Sequence, residues 1–159
     1  MIIILMGVAG SGKTTIGRKL ARVMGCPFYD GDDYHSQANR EKMARGIPLT
    51  DEDRLSWLQT LHNEMKVWER ESPRTLLACS ALKQKYRDLL SDRITVRWIY
   101  LKGEAGIIRQ RLRDRQGHFA GPDLLESQFL ILEEPVDAIR VDVGQEPDII
   151  VKQLLEALK

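Results

Sequence analysis

Two periods of apolar residues alternate along this chain. Short continuous apolar runs lie at Ile2–Met6, 27–29, 75–79, 95–101 and 138–143, the length and character of strands buried on both faces. Segments with helical spacing separate them, beginning with Thr14 to Ala21 directly after the first run. Strands that alternate with helices predict a three-layer α/β/α domain: a five-stranded parallel sheet covered on both faces, with ligands beyond the carboxyl ends of the strands.

Two helical stretches exceed that minimal alternation. The first spans about 33–71 and is broken at 46–49; in its second half Leu58, Leu61, Met65 and Trp68 fall on one stripe, which reads as core. The second spans about 105–133 and is interrupted at 116–122 by two glycines and a proline, a composition suited to a hinge. The whole chain, 1–159, is expected to be one domain, with the first stretch serving an acceptor substrate and the second acting as a lid.

Composition narrows the partners. A formal net charge of +1 gives no reason to expect nucleic acid or a membrane surface, and no apolar run is long enough to span a bilayer. Met1 leads straight into the first predicted strand, which leaves no room for a cleavable signal and predicts a cytoplasmic protein. Cys26 and Cys79 are too few for a disulfide framework and are expected to be reduced and mostly buried.

The first strand runs into Gly7-Val8-Ala9-Gly10-Ser11-Gly12-Lys13-Thr14, a complete G-x-x-x-x-G-K-[ST] loop with a helix behind it. Glycines let successive N–H groups turn inward, so that a phosphate chain can lie at the positive end of the helix. Lys13 is expected to reach the β- and γ-phosphates of ATP and the Thr14 hydroxyl to ligate Mg2+, with Thr15 beside them. The loop alone leaves kinase, NTPase, switch and sensor open.

An acceptor half is written further along. Asp30-Gly31-Asp32-Asp33 ends the second predicted strand, and phosphoryl transfer to an alcohol calls for one carboxylate near the metal and one to take the hydroxyl proton. Asp30 and Asp32 share a face in extended chain, Gly31 leaves room for substrate to approach, and Asp33 reads first as a cap for the next helix. His35, Asn39 and Lys42 follow on one helical face and suit a hydroxylated acid, although a solvated face has the same pattern. Thr50 to Asp53 reads as a capped helix start, where Arg54 sits against the helix dipole and faces either a neighbouring acid or an anionic substrate. Ser80 follows the third strand, and Lys83 and Arg87 share a face by their spacing, which also fits plain surface charge.

In the lid stretch, Arg111 and Arg115 fall on the same face as Ile108 and Leu112, and inward arginines need an anion such as the ATP polyphosphate. Arg109 and Arg113 face solvent. His118 lies in the interruption, while His62 in the long helix reads as structural.

Together these segments resemble the gluconokinase family of P-loop carbohydrate kinases, relatives in fold of shikimate and adenylate kinases. The likeness runs almost end to end, through the phosphate loop, Asp30 to His35, Asn39 with Lys42-Met43, Gly46 to Asp51, Asp53-Arg54, Cys79 to Lys83, Tyr86-Arg87, Arg111-Leu112 with Arg115, Gly117 to Phe119, Leu124-Leu125 and Ser127 to Phe129. It departs at Ser56, where the family usually has proline, and at Ala120-Gly121, where it has Met-Pro. The resemblance implies ATP-dependent phosphorylation of D-gluconate at its 6-hydroxyl with Mg2+, and a sheet of order 2-3-1-4-5. It further implies Asp30 near the metal, Asp32 as base, His118 among the substrate contacts, the base of ATP near 143–147, and often a homodimer.

Two rivals stay open: a kinase for another small acid or a nucleotide, and an ATP-binding sensor without transfer. A nucleotide kinase needs a pocket for a second base, and beyond Tyr34 and Trp57 the sequence offers no aromatic cluster for one.

Overall fold

A computed structural model of the chain describes residues 1–114 and 122–159. Five strands, β1 (Ile2–Met6), β2 (Phe28–Asp30), β3 (Thr75–Ala78), β4 (Val96–Lys102) and β5 (Ile139–Asp142), pair in parallel in the order 2-3-1-4-5. The expected sheet is therefore borne out, each strand lying within a residue or two of its apolar run.

The central strand shows why its sequence is continuous rather than alternating. All five residues of β1 are buried, but they divide by the two-residue period between two cores. Ile2, Ile4 and Met6 pack with Leu58, Leu61, Met65 and Trp68 of α3 (Asp51–Glu71) and Leu90 of α4 (Gln84–Leu90). Ile3 and Leu5 pack with Ile16 and Leu20 of α1 (Lys13–Met24) and Ile150 and Leu154 of α7 (Pro147–Ala157). Each such side chain fully buried contributes about 1.5–3 kcal/mol, so the two faces together hold the helices in place.

From β1 the chain crosses to β2 and β3 on one side and only later to β4 and β5 on the other. The carboxyl end of β1 is thus the switch point of the sheet, where such folds bind their ligands. Helix α1 begins there. Its N-cap is Gly12, with no side chain closing the first turn, and it stops at Gly25, whose positive φ of 64° lets its N–H reach back to the carbonyls of Ala21 and Arg22.

The 33–71 stretch differs in its first half from the expected helix. Gly31 to Tyr34 form a 3-10 turn, and α2 (Gln37–Ala44) starts only after Ser36, which accepts the Asn39 N–H at 3.1 Å. Asp30, not Asp33, caps the turn, its Oδ1 accepting the Asp32 N–H at 3.0 Å, because the chain tightens directly at the strand end. Gly31 serves packing rather than substrate access: a Cβ there would lie 2.8 Å from the carbonyl oxygen of Ala78 in β3. Helix α3 opens with the expected cap, Thr50 and Asp53 exchanging side-chain and backbone hydrogen bonds.

The lid stretch holds α5 (Ala105–Asp114) and α6 (Pro122–Ile131). Ile108 and Leu125 are fully buried against Val8 and Leu82, joining both helices to the phosphate loop. Arg109 pairs with Glu126 at 3.5 Å instead of facing solvent alone. Cys79 is buried, which pushes its thiol up to about 12, and Cys26 is half-buried; both are free thiols. Among the described residues no helix is long and apolar enough to cross a membrane.

Candidate active site

The phosphate loop is shaped by its glycines. Gly10 and Gly12 take φ values of +79° and +100°, a region that side chains with a Cβ avoid, and this turns the loop back over the start of α1. Lys13 folds across it, its Nζ donating to the carbonyls of Gly7 at 2.9 Å and Val8 at 3.0 Å. The Thr14 hydroxyl donates to Asp30 Oδ2 at 2.7 Å, so the two residues expected at the metal meet directly. A hydroxyl and a carboxylate are the hard oxygen donors that Mg2+ takes alongside water and phosphate. Among the described residues no group of three or more His, Cys, Asp or Glu gathers as a cage.

Beside the loop lies a cleft lined by Ala9, Gly10, Gly12, Lys13 and Thr14 on one wall and by Asp30, Asp32, His35, Arg54 and Ser80 on another. Asp32 is exposed to the cleft by surface area, yet protein atoms crowd its carboxyl. That desolvation pushes its pKa up; Asp30 and Asp33 add to the rise, while Lys13 and Arg40 oppose it. Arg40 also clamps the turn, donating to the carbonyls of His35 and Asp33 at 3.3 and 2.9 Å.

His35 is buried, stacked on Trp57 with ring centroids 4.1 Å apart. Its tautomer follows from its neighbours. Asn39 Nδ2 lies 2.9 Å from the carbonyl oxygen of Asp53, an acceptor, and 3.3 Å from His35 Nδ1. The amide nitrogen must donate to both, so His35 Nδ1 accepts and the proton sits on Nε2. Burial, aided by Arg40 and Arg54, lowers the imidazole to about 4, which keeps it neutral at physiological pH.

Arg54 is aimed by a relay. Its NH1 donates to the Tyr86 hydroxyl at 3.2 Å, and that hydroxyl donates in turn to Asp51 Oδ1. Lys83 and Lys85 hold the same carboxylate, at 3.0 and 2.6 Å, and with Tyr86 keep Asp51 far below the ordinary carboxylate range.

Four residues expected to contact substrate hold partners within the protein. Asn39 is buried, does not line the cleft and acts through His35. His35 itself precedes α2, so it is the turn, not a shared helical face, that brings the two together. Lys42 pairs with Asp53 at 2.8 Å, tying α2 to α3. Lys83 caps α4 from outside the helix and is taken by Asp51, so it shares no helical face with Arg87. Arg87 is buried and donates to the carbonyls of Ala81, Leu82 and Glu133 and to Gln84 Oε1, a clamp on the segment after β3.

On the far side of the loop a second pocket is lined by Gly10, Gly12, Thr15, Arg111, Val143 and Gln145. Arg111 is half-buried and donates to the carbonyl of Val143, which joins α5 to the segment after β5. Arg115 and His118 lie outside the described residues. Trp57, Met43, Leu49 and Gln128 also line the first cleft, a role the sequence assigns to none of them, and Gln128 Oε1 accepts the Ala9 N–H at 2.7 Å. Only a contact across 119 positions reveals that last role.

Known proteins are similar to this chain in sequence and architecture. The shikimate kinase family model matches residues 9–159. The chain is 44% identical to the "Probable gluconokinase" of Mus musculus, covering 99% of this chain and 97% of that protein. It is 41% identical to the "Thermoresistant gluconokinase" of Escherichia coli K12, covering 99% and 93%. A crystal structure of a gluconokinase from Sinorhizobium meliloti 1021 superposes with a TM-score of 0.86 at 38% identity, over 98% of this chain and 90% of that one.

Proposed function

This chain belongs to the gluconokinase family of shikimate-kinase-like P-loop kinases and phosphorylates gluconate with ATP, and from that premise we propose how its residues divide the work. The phosphate loop from Gly7 to Thr15 holds the ATP phosphates, with the nucleotide base in the second pocket between Arg111 and Gln145. Lys13 and Arg111 stabilise charge on the phosphates, joined by Arg115. Asp32 takes the proton of the 6-hydroxyl as that oxygen attacks the γ-phosphorus and the bond to the β,γ-bridging oxygen breaks to release ADP, its raised pKa making it a stronger base than an ordinary carboxylate.

Thr14 and Asp30 are the residues that would hold Mg2+, which when bound neutralises phosphate charge. Arg54 meets the gluconate carboxylate. His35 offers Nε2–H, and Ser80 its hydroxyl, to the sugar hydroxyls, and His118 completes the acceptor site. Residues 33–71 form the acceptor-binding segment and 105–133 the lid, within a single domain. A cytoplasmic homodimer is part of the same proposal, supported by the family resemblance, and light scattering on the purified protein tests its second half.

One observation supports this division above the others: a single cleft is lined both by the phosphate loop and by Asp32, His35 and Arg54. Donor and acceptor can lie there in contact, as in-line transfer demands. A coupled ADP-release assay with gluconate, shikimate and nucleoside monophosphates tests the reading, with the product's phosphate position read by NMR. ADP release with gluconate no faster than with no acceptor would overturn it, and a nucleoside monophosphate as the best acceptor would replace it.

A further inference from the structure

We propose that Gln128 is a positioning residue that couples the phosphate loop to the acceptor, an inference that rests on the kinase reading above. Its Oε1 accepts the Ala9 N–H at 2.7 Å. Ala9 precedes Gly10, whose positive φ of 79° is a conformation that residues with a Cβ rarely adopt. A peptide in such a place needs something to fix its orientation before phosphate arrives, and Gln128 does so with a neutral carbonyl oxygen.

The bond is held from outside the loop. Gln128 is carried by α6, which is anchored by Leu124 and Leu125, 4% and 0% exposed, and by Phe129 packed on the cluster of Val8, Leu82 and Ile108. The other end of the amide, Nε2, has no partner among the described residues, and Gln128 lines the acceptor cleft with Ser127. One side chain therefore touches the donor loop and faces the space the acceptor occupies. A sugar acid that takes a hydrogen bond from Nε2 fixes the amide plane and with it the Ala9 peptide. The loop is then set for transfer only when the acceptor is in place.

Two variants of the full chain separate this role from simple packing. Gln128→Met keeps the shape and removes both hydrogen bonds; Gln128→Glu keeps an acceptor for Ala9 and removes the donor. In Gln128→Met, the Ala9 amide proton should move upfield in the 15N spectrum, kcat with gluconate should fall about tenfold, and KM for ATP should stay within about twofold. In Gln128→Glu the Ala9 resonance should stay near its wild-type place while KM for gluconate rises. The inference is overturned if Gln128→Met leaves Ala9 unmoved, if its kcat stays within about twofold of wild type, or if both KM values rise in proportion as packing damage would make them. A wild-type protein inactive with gluconate but active with another acceptor overturns the substrate reading instead. The same split, measured with that acceptor, and the Ala9 resonance then decide the role of Gln128.

Discussion

The hydroxyl of Thr14, at the start of α1, donates to the carboxylate of Asp30, at the end of β2, over 2.7 Å. The two residues stand 16 positions apart and belong to different motifs, and the parallel order of the sheet delivers both to the cleft. Asp30→Asn keeps a carbonyl oxygen to cap the 3-10 turn and removes the charge that a divalent cation needs. The Mg2+ concentration for half-maximal rate should rise about 10–100-fold while the melting temperature changes little. A magnesium titration of initial rates checks this, and an unchanged midpoint would remove Asp30 from the metal site.

His35 sets a pH dependence of stability whose sign is fixed. Its ordinary pKa of 6.5 falls to about 4 in the folded protein, so between those values the unfolded chain binds more protons and stability drops as pH falls. Asp51 and Asp53 are also lowered and act in the same direction, but only as the pH nears and passes their ordinary 3.8, which leaves the upper part of the window from 6.5 to 4 to His35. Asp32, raised above 3.8, works against the loss as the pH falls toward that value. The full His35 effect is at most about 3 kcal/mol. Melting curves at intervals from pH 7 to about pH 4.5 should show the decline in wild type and a flatter line in His35→Phe, which retains a ring against Trp57. Parallel slopes in the two proteins would assign the effect elsewhere.

Tyr86→Phe deletes one hydroxyl and leaves the ring that Arg54 overlies at 5.7 Å. Arg54 then loses the group that aims it, while Asp51 keeps Lys83 and Lys85. A hydrogen bond to a charged group at a partly exposed site contributes on the order of 1 kcal/mol, so KM for gluconate should rise about fivefold with KM for ATP unchanged. Steady-state kinetics with each substrate varied in turn measure it. A rise confined to the ATP constant would mean that Arg54 faces the donor.

Much of this architecture is legible in the residue pattern alone. Strands buried on both faces must be apolar throughout, so β1 stands out, and the stripe from Leu58 to Trp68 marks the buried face of α3 for the same reason. The phosphate loop is legible because its glycines answer to backbone geometry, which sequence records directly. Charged and amide side chains are not legible in this way. Arg87 has the spacing of a surface cation and is buried because carbonyl oxygens from two separate segments converge on it. Asn39 has the spacing of a ligand and instead holds His35 and the Asp53 carbonyl. In both cases main-chain oxygens are among the partners, and every residue type carries one, so no pattern of side chains can announce them.

Gly17 offers a test of how tightly α1 sits on the sheet. A Cβ at that position would overlap Phe28 Cε2 and come within 3.1 Å of Cδ2. Alanine would gain about 1 kcal/mol of helix propensity over glycine, but forcing extra volume into a packed contact costs about 1–3 kcal/mol. The second effect should win because the Phe28 ring, half-buried, packs against the core built on Ile3 and Leu5 and gives up that contact if it turns away. Gly17→Ala should therefore melt a few degrees below wild type, about 2–4 °C for each kcal/mol lost in a chain of this size. Because Lys13 and Thr14 open the same helix, any shift that relieves the clash should also raise KM for ATP. Adding Phe28→Leu should recover part of both losses, a non-additive result that only a direct contact gives. A single variant that melts at or above wild type would show that helix propensity outweighs the contact and that α1 has slack against β2.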